Sequence, residues 1–339
     1  MWDEKKVRII DIAQELDVST ATVSNVLHGK TKKISDKTVR LVERKLEERG
    51  YIPNMASTLL GRNNSKIIAV VINNHKKYEG HVLEDFFISS AVNFLYDEIE
   101  RAGYFMMLKK ATGIMEIVKF STIWNLEGMM LIGFCEDEYQ KLRDHIRIPF
   151  VVYDGFPADG QSRISMVKID DFDGGRQAGR FLFEQGHRKA LCIADNEICM
   201  DKDRYEGFCE GFGARADFLK IPMETERRLA FYQTQLDFIK AHTAVFAVSD
   251  YYAIDLMGFL LRNGIRIPGD ISIIGFDGSP RCLMVSPTLS SVQQDNETRA
   301  VKAVELLCRM MAEAGFQDSV VVPVKLIVRE SAGNVPERF

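Results

Sequence analysis

Apolar positions recur at helical spacing near the start of the chain. A stripe at i, i+3, i+4 and i+7 predicts a short helix through Ile9, Ile12, Ala13 and Leu16. Ser19 is a favourable N-cap for a second helix that runs to Leu27. Ser35 opens a third helix that runs to Arg49 and stops at Gly50. Three helices this short bury little apolar surface, so they predict a specialised module attached to a larger body.

From Ile67 onward, short apolar runs alternate with amphipathic helical stretches. The runs predict strands at Ile67–Ile72, Tyr104–Leu108, Met129–Ile132, Phe150–Tyr153, Ala190–Ala194, Val245–Val248, Ile271–Gly275 and Val320–Val328. The helical stretches include Phe86–Arg101, Gly174–Gln185, Ala253–Asn263 and Glu297–Met311. This alternation predicts βαβ units and parallel sheets that are covered on both faces. The span is too long for one simple sheet, so we predict an α/β fold with two doubly wound subdomains facing a cleft.

The bulk composition fits a globular protein of two or three domains. The chain has 339 residues, of which 46% are hydrophobic and 27% are charged. No stretch approaches the roughly 20 apolar residues that span a bilayer, and residues 1–5 lack an apolar signal core. We therefore expect a cytoplasmic protein with no membrane partner. The six cysteines and six histidines are dispersed, so we expect neither a disulfide framework nor a metal site.

The net charge of −4 is divided unevenly along the chain. Residues 1–63 carry 12 Lys and Arg against 9 Asp and Glu, whereas the remainder carries 32 against 39. The N-terminal part is therefore mildly basic and the rest is acidic. Such an asymmetry is typical of a protein that meets nucleic acid phosphates at one end only.

Three sequence blocks near the N-terminus stand at fixed spacing from one another: Ile9–Ala13, Val18–Leu27 and Tyr51–Asn54. In residue type and spacing they resemble the lactose-repressor (LacI/GalR) family. The resemblance continues along the chain at Val152–Asp154, Gly186–Arg188, Asp203–Phe208, Ser249–Asp250, Gly275–Asp277 and Leu289–Asp295.

The resemblance implies a domain organisation and a function. It implies a helix-turn-helix DNA-binding domain at 1–52, a hinge helix and linker at 53–65, and an effector-binding and dimerisation domain at 66–339. The last is expected to be of periplasmic-binding-protein type, with an N-subdomain at about 66–168 and 296–324 and a C-subdomain at about 169–295 and 325–339. The implied protein is a homodimeric repressor of a pseudo-palindromic operator in double-stranded DNA. It would be controlled by a small-molecule effector and would need no cofactor.

The second helix is the candidate recognition helix, which would enter the major groove. Its small or hydroxylic side chains would let the backbone approach DNA closely; they are Ser19, Thr20, Ala21, Thr22, Ser24 and Asn25. An ordinary capped surface helix is the alternative for these residues. The resemblance implies that Thr20, Ala21 and Asn25 read bases, and the family often has arginine where this chain has Asn25. Asn pairs with adenine and Arg with guanine, so we hypothesise an A·T pair opposite Asn25.

Two positions near the first helix depart from the family. Arg8 stands where a threonine usually begins the helix, and its side chain cannot cap, at an expected cost of about 1 kcal/mol. Asp17 replaces a turn glycine, and aspartate tolerates the left-handed region better than most residues.

A short helical candidate follows at Met55–Leu60, and it resembles the family's hinge helix. A helix of this length is marginal alone, so it would form when two copies pack in the minor groove. The resemblance implies that Leu60 wedges between base pairs, and that Asn54 and Thr58 contact the backbone or the groove.

Polar residues end several predicted strands of the larger body, where ligands of open α/β sheets bind. They are Asp154, Asp250 and Asp277, although an aspartate before a helix, such as Asp250, can also be a simple helix cap. The resemblance implies that Arg204 and Asp277 are the main effector contacts, with Asp154 and Asp250 next. For Arg204 the alternative is an Arg–Asp pair that closes the cleft.

The segment after the first strand adds His75 and Tyr78 at the cleft mouth. The stretch Met223–Tyr232 is highly charged and matches the family poorly. By resemblance the effector is a sugar or a sugar phosphate, with a purine as the alternative.

The sequence argues against an enzyme. It contains no phosphate-binding G-x-x-x-x-G-K-[ST], no G-x-G-x-x-G after a strand and no G-x-S-x-G. Two other functions stay open. A solute-binding protein would leave residues 8–60 without a role, and a regulator gated by a phosphocarrier protein would need no small molecule.

Overall fold

The structure of the protein is a computed structural model that describes residues 7–51, 65–134, 136–155 and 164–335. The chain divides into two compact units, Met1–Ser65 and Lys66–Phe339. The predicted hinge contacts Asn54, Thr58 and Leu60 lie outside the described residues.

The N-terminal unit contains three helices, α1 (Ile9–Glu15), α2 (Thr20–Leu27) and α3 (Asp36–Glu48). Their inward faces form a small core around Ile12, Val23 and Val42, which are fully buried. The predicted stripe, the two serine N-caps and the stop at Gly50 are confirmed, and Gly50 has a φ of 58°.

The start of α1 shows a compensation that the sequence did not predict. The Arg8 side chain makes no capping bond, but the carboxylate of Asp11 accepts the backbone N–H of Arg8 at 2.8 Å. Half of a capping box is therefore present, so the expected cost at Arg8 is partly offset. Asp17 has a φ of 50°, which confirms the left-handed turn predicted there.

The larger unit is built from strands and helices that alternate along the chain. Its strands are β1 (Ile67–Asn73), β2 (Phe105–Ala111), β3 (Gly128–Ile132), β4 (Phe150–Tyr153), β5 (Met166–Ile169), β6 (Ala190–Ala194), β7 (Asp217–Lys220), β8 (Ala244–Ala247), β9 (Ser272–Asp277), β10 (Ser290–Gln294), β11 (Ser319–Val322) and β12 (Val324–Ile327). Its helices are α4 (Phe86–Arg101), α5 (Ile114–Ile123), α6 (Glu136–His145), α7 (Asp171–Glu184), α8 (Cys199–Phe212), α9 (Thr225–Thr234), α10 (Leu236–Lys240), α11 (Asp250–Arg262) and α12 (Asn296–Ala312). Short 3-10 turns occur at Lys76–Tyr78, Val82–Glu84 and Pro280–Leu283.

Within the described residues these strands form two six-stranded sheets. The first has the order β11-β5-β4-β3-β1-β2 and is parallel. The second has the order β12-β10-β9-β8-β6-β7, in which only the β10–β12 pair is antiparallel. The predicted α/β architecture with two subdomains is confirmed.

The prediction of one strand over Val320–Val328 is wrong. Pro323 divides that run into β11 and β12, which belong to different sheets. The chain also passes between the sheets after β5 and again after β10, so each half of this unit is assembled from separate stretches of sequence.

Helices α7 and α8 pack with their backbones in close approach. A β-carbon on Gly175 or Gly179 of α7, or on Gly207 or Gly211 of α8, would collide with a carbonyl of the facing helix. The four glycines therefore permit a contact that no larger residue would allow. This contact fixes the position of Arg204 of α8 relative to the N-terminal end of α7.

Candidate functional site

The predicted recognition surface of the N-terminal unit lies on the side of α2 opposite its buried valines. Thr20, Ala21 and Asn25 are exposed, whereas Thr22 and Ser24 are half-buried. The exposed Ser19 accepts the backbone N–H of Thr22 at 3.0 Å and so caps the helix. The structure therefore brings the three predicted base readers together on one exposed face.

The segment after α2 adds positive charge that the sequence reasoning passed over. Lys30, Lys32, Lys33 and Lys37 are all exposed in this segment and at the start of α3. Exposed lysines near a recognition helix are suited to phosphate contacts, which position a protein on DNA without reading its sequence.

In the larger unit, Arg204 is buried at the ends of the second sheet's strands. Its Nε donates to the carboxylate of Asp171 at 2.8 Å, and its Nη1 donates to the carbonyl of Val248 at 2.7 Å. The guanidinium also lies 3.8 Å from the ring centroid of Phe276. The Arg–Asp pair that the sequence offered as an alternative for Arg204 is therefore present.

Asp154 directly follows β4 and is paired with Arg299 of α12, a residue that the sequence analysis did not single out. Arg299 is completely buried, and its Nη1 donates to Gln294 at 2.6 Å. Gln294 in turn donates to Asp277 at 2.8 Å. One hydrogen-bonded chain thus connects a strand end of the first sheet with a strand end of the second.

The two aspartates at the ends of this chain have strained backbones. Asp154 has a φ of 70° and Asp277 a φ of 122°. Positive φ values are costly for residues other than glycine and cluster at functional sites.

Asp250 is placed differently from the other predicted contacts. Its carboxylate accepts bonds from the Ser279 N–H at 2.6 Å, the Ser291 hydroxyl at 2.5 Å and the Cys282 thiol at 3.1 Å. The cap of α11 is Ser249, which accepts the Tyr252 N–H at 3.3 Å. The bonds from Ser279 and Cys282 hold the loop after β9 in place, and the bond from Ser291 joins Asp250 to β10, which favours a positioning role for Asp250.

Burial perturbs several carboxyl groups around Arg204. It raises the pKa of Asp171 to about 6, against the lowering effect of Arg204, and the pKa of Asp201 to about 7. It also raises the pKa of Asp277 well above the usual range, and the neighbouring Asp250 adds to that rise. Burial therefore favours the protonated forms of these three carboxyl groups, against the lowering effect of Arg204 on each pKa.

The segment after β1 contains the predicted residues His75 and Tyr78. His75 is exposed and accepts the Lys77 N–H at 3.3 Å, while the ring of Tyr78 is half-buried beneath the Lys77 ammonium at 5.0 Å. The carboxylate of Glu79 accepts the Thr225 N–H at 2.8 Å. This segment therefore touches the second subdomain through Glu79, which the sequence reasoning missed.

The charged stretch that follows β7 contains a fully buried cation. Arg228 of α9 bonds to Asp255 at 2.6 Å, to the carbonyl of Met223 at 2.5 Å and to the hydroxyl of Tyr251 at 3.0 Å. These bonds fasten α9 to α11. The charged stretch that matches the family poorly therefore contains a buried arginine with a structural role.

Over the ranges that the structure describes, no group of three or more His, Cys, Asp or Glu side chains could hold a metal ion. No helix in those ranges has the length and apolar character to cross a membrane.

Family models match two parts of the chain. A model for bacterial regulatory proteins of the lacI family matches residues 8–54, and a model for the periplasmic binding protein-like domain matches residues 180–332. The HTH-type transcriptional regulator MalR of Clostridium butyricum is 27% identical over 97% of this chain and 100% of its own length.

Solved structures resemble the whole fold. The Lac repressor dimer bound to operator and the anti-inducer ONPF matches with a TM-score of 0.83 and 20% identity, over 97% of this chain and 100% of its own. The complex of the transcriptional regulator CelR with cellobiose matches with a TM-score of 0.70 and 24% identity, over 96% of this chain and 99% of its own.

Proposed function

We propose that the chain is a DNA-binding transcriptional regulator of the lacI family of bacterial regulatory proteins rather than an enzyme, and that a sugar bound between its two sheets sets its affinity for an operator. The observation that carries this proposal is the hydrogen-bonded chain from Asp154 through Arg299 and Gln294 to Asp277. It places polar groups from both subdomains where ligands of such sheets bind. Among relatives, one solved regulator is a complex with cellobiose.

The regulator acts in the cytoplasm as a repressor, and the effector binds without a cofactor. An effector that binds either the open or the closed form of the cleft more tightly increases the population of that form. In a dimer, this shift changes the spacing of the two DNA-binding modules and hence the affinity for a two-fold symmetric operator.

The second copy docks on exposed apolar side chains of the larger unit. The strand β2 lies at an edge of the first sheet and exposes 57% of Phe105 and 38% of Leu108. An apolar edge strand is an open pairing surface unless another chain covers it. Phe105→Glu should give monomers in sedimentation velocity, whereas Ile198→Glu, at another exposed position, should leave the dimer intact.

The DNA-binding proposal is tested by selecting binding sites from random DNA with the full-length protein. The wild type should select a symmetric site, and Asn25→Arg should replace an A·T preference by G·C at one position per half-site. Gln14→Arg adds the same charge at an exposed position of α1 and should leave the preference unchanged. Failure of the wild type to enrich any sequence would refute the regulator proposal.

The effector proposal is tested by calorimetry with a panel of neutral sugars that includes cellobiose and ribose. Binding of one sugar, with a change in operator affinity at saturation, supports the proposal. Retained operator binding without any sugar response would favour control by a protein partner.

A further inference from the structure

The guanidinium of Arg281 lies over the ring of Phe86, with 4.1 Å between the guanidinium carbon and the ring centroid. Arg281 belongs to the 3-10 turn that follows β9 of the second sheet, whereas Phe86 is the first residue of α4, which packs against β2 of the first sheet. Resting on the proposed function, we infer that this pair is a closure contact of the cleft, and that both side chains are positioning residues for effector control. Opening of the cleft would separate them.

The main chain on both sides of Arg281 is fastened to the second subdomain. The Ser279 N–H donates to the carboxylate of Asp250 at 2.6 Å, and the thiol of Cys282 donates to the same carboxylate at 3.1 Å. Cys282 is completely buried, and its carbonyl accepts the Leu289 N–H at 2.9 Å. Arg281 therefore moves with the second sheet and not as part of a free loop.

The ring of Phe86 is fixed to the first subdomain through α4. Asp85 caps this helix, since its carboxylate accepts the Ile88 N–H at 3.1 Å. The side-chain amide of Asn296, at the start of α12, donates to the hydroxyl of Ser90 at 3.2 Å, so α4 is also bonded to its neighbouring helix. The cation and the ring thus belong to two different rigid halves of the larger unit.

The pair lies beside a predicted effector contact. Asp277 ends β9, and the chain reaches Arg281 four residues later. Burial and the neighbouring Asp250 raise the pKa of Asp277, and Asp85, the residue before Phe86, adds to that rise. The end of β9 and the start of α4 therefore face each other across the cleft. A ligand that changes the closure at Asp277 must also change the distance between the guanidinium and the ring.

A second contact across the same cleft offers an independent readout. The Thr225 N–H donates to the carboxylate of Glu79 at 2.8 Å. Thr225 is the first residue of α9, so its N–H is one of the helix donors that lack an acceptor inside the helix. The helix follows β7, which is separated from β9 by β8 and β6, or about 14 Å at the usual spacing of strands. Hydrogen exchange at Thr225 therefore reports cleft opening at a distance from Arg281.

The test measures hydrogen exchange in the ligand-free, full-length protein at single-residue resolution. Arg281→Met removes the charge and keeps the length of the side chain, and Phe86→Leu removes the ring. Each should speed exchange of the Thr225 N–H about two- to fivefold, which corresponds to the loss of one exposed cation–π contact. The double variant should exchange no faster than the faster single variant, because both changes remove the same contact. Phe86→Tyr keeps a ring and should exchange as wild type does.

Arg188→Met and Phe183→Leu are the matched controls, because this guanidinium lies 4.0 Å from this ring centroid entirely within the second subdomain. They should leave exchange at Thr225 unchanged. The Arg228 N–H donates to the Glu224 carbonyl inside α9 and should exchange at the same rate in every variant, which separates opening of the cleft from fraying of the helix. A purely structural role of the Arg281 pair would lower stability without a specific change at Thr225.

Calorimetry with ribose and cellobiose tests the link to effector control. Arg281→Met and Phe86→Leu should bind whichever of these sugars the wild type binds about two- to fivefold more weakly, since fewer molecules are in the closed form. Faster exchange at Thr225 with unchanged sugar affinity would overturn the positioning role. If the wild type binds neither sugar, the effector proposal fails, while the exchange data still decide whether the contact holds the cleft closed.

Three exchange results would overturn the inference. They are an unchanged Thr225 rate in the folded single variants, additive effects in the double variant, and an equal change in the Arg188 and Phe183 controls. If Phe86→Leu does not fold, the comparison of Arg281→Met with Phe86→Tyr and wild type still decides.

Discussion

The carboxylate of Glu79 accepts the backbone N–H of Thr225 at 2.8 Å, across the cleft of the larger unit. Thr225 is the first residue of α9, where the helix dipole favours a negative charge. Its hydroxyl lies 3.0 Å from that of Tyr251, so the donor end of the contact is fixed to α11 as well. The two subdomains are therefore joined at the cleft mouth by a hydrogen bond, which an opening of the cleft would break.

Removing this contact should weaken the closed form. Glu79→Ala eliminates an interaction of about 0.3–1 kcal/mol, so affinity for an effector that closes the cleft should fall about two- to fivefold. Calorimetry measures the affinity, and small-angle scattering measures the population of open molecules. Glu84→Ala is the control, because Glu84 bonds to His81 within its own segment. Equal effects of both variants would contradict a role for the Thr225 contact.

The Asp154–Arg299 pair should show strong coupling in a double-mutant cycle. Asp154→Leu or Arg299→Met alone leaves a buried charge without a partner and should cost about 3–5 kcal/mol of unfolding free energy. The double variant should cost much less than the sum, since two apolar side chains can pack together. Urea unfolding of the full chain measures each value. Additive losses would show that the pair is not an energetic unit.

The stability of the larger unit should fall as the pH rises through neutrality. Burial raises the pKa of Asp201 to about 7; Arg204 and Lys77 lower it, and Asp195 and Asp171 raise it. A carboxyl with a raised folded pKa contributes stability that is full below its unfolded pKa of about 3.9 and is lost as the pH rises through the folded value. The melting temperature should therefore fall between about pH 5 and about pH 8.

Asp201→Asn tests this dependence because it imitates the protonated acid. Its advantage over wild type in melting temperature should be largest at about pH 8 and smallest at about pH 5. Glu210→Gln changes an exposed acid on the same helix and should leave the pH dependence as in wild type. Parallel pH curves for Asp201→Asn and wild type would refute the assignment.

Substitution of the two serine caps of the N-terminal unit should distinguish effects on helix stability from effects on DNA recognition. Ser19 accepts the Thr22 N–H at 3.0 Å, and Ser35 accepts the Thr38 N–H at 3.2 Å. Either Ser→Ala change should cost about 1 kcal/mol, measured by hydrogen exchange of the α2 and α3 amides. Only Ser19→Ala should also alter base preference in binding assays, because Ser19 caps the predicted recognition helix. Altered preference in Ser35→Ala would contradict this assignment.

Local sequence patterns predicted the helices and strands whose apolar residues recur with a clear period. The helix at Phe86–Arg101 is confirmed at both ends, as are the strands at Phe150–Tyr153 and Ala190–Ala194. Each has a regular apolar pattern bounded by residues that stop it. The short strand β10 escaped prediction because its sequence, Ser-Ser-Val-Gln-Gln, contains one large apolar residue only.

The sequence predicted site residues only where a single position was informative by itself. Strand-end position indicated Asp154 and Asp277, and their roles as effector contacts stay predictions. Their connection through Arg299 could not be predicted from the sequence, because Asp154 and Arg299 are 145 residues apart and no neighbouring residue in the sequence indicates that the arginine is buried. The same holds for Arg228, whose neighbours in sequence are charged although its neighbours in space are aromatic rings.

The division of the last apolar run at Pro323 has a consequence for how the protein is made. The strand β11 forms an edge of the first sheet and β12 an edge of the second, so the first sheet is incomplete until the ribosome has passed residue 322 and the second until it has passed residue 327. The first sheet lacks its edge strand β11 while nearly all of the second sheet is synthesised. A premature stop before Ser319 would therefore leave two unfinished sheets rather than one finished half, and such nascent chains should depend on chaperones.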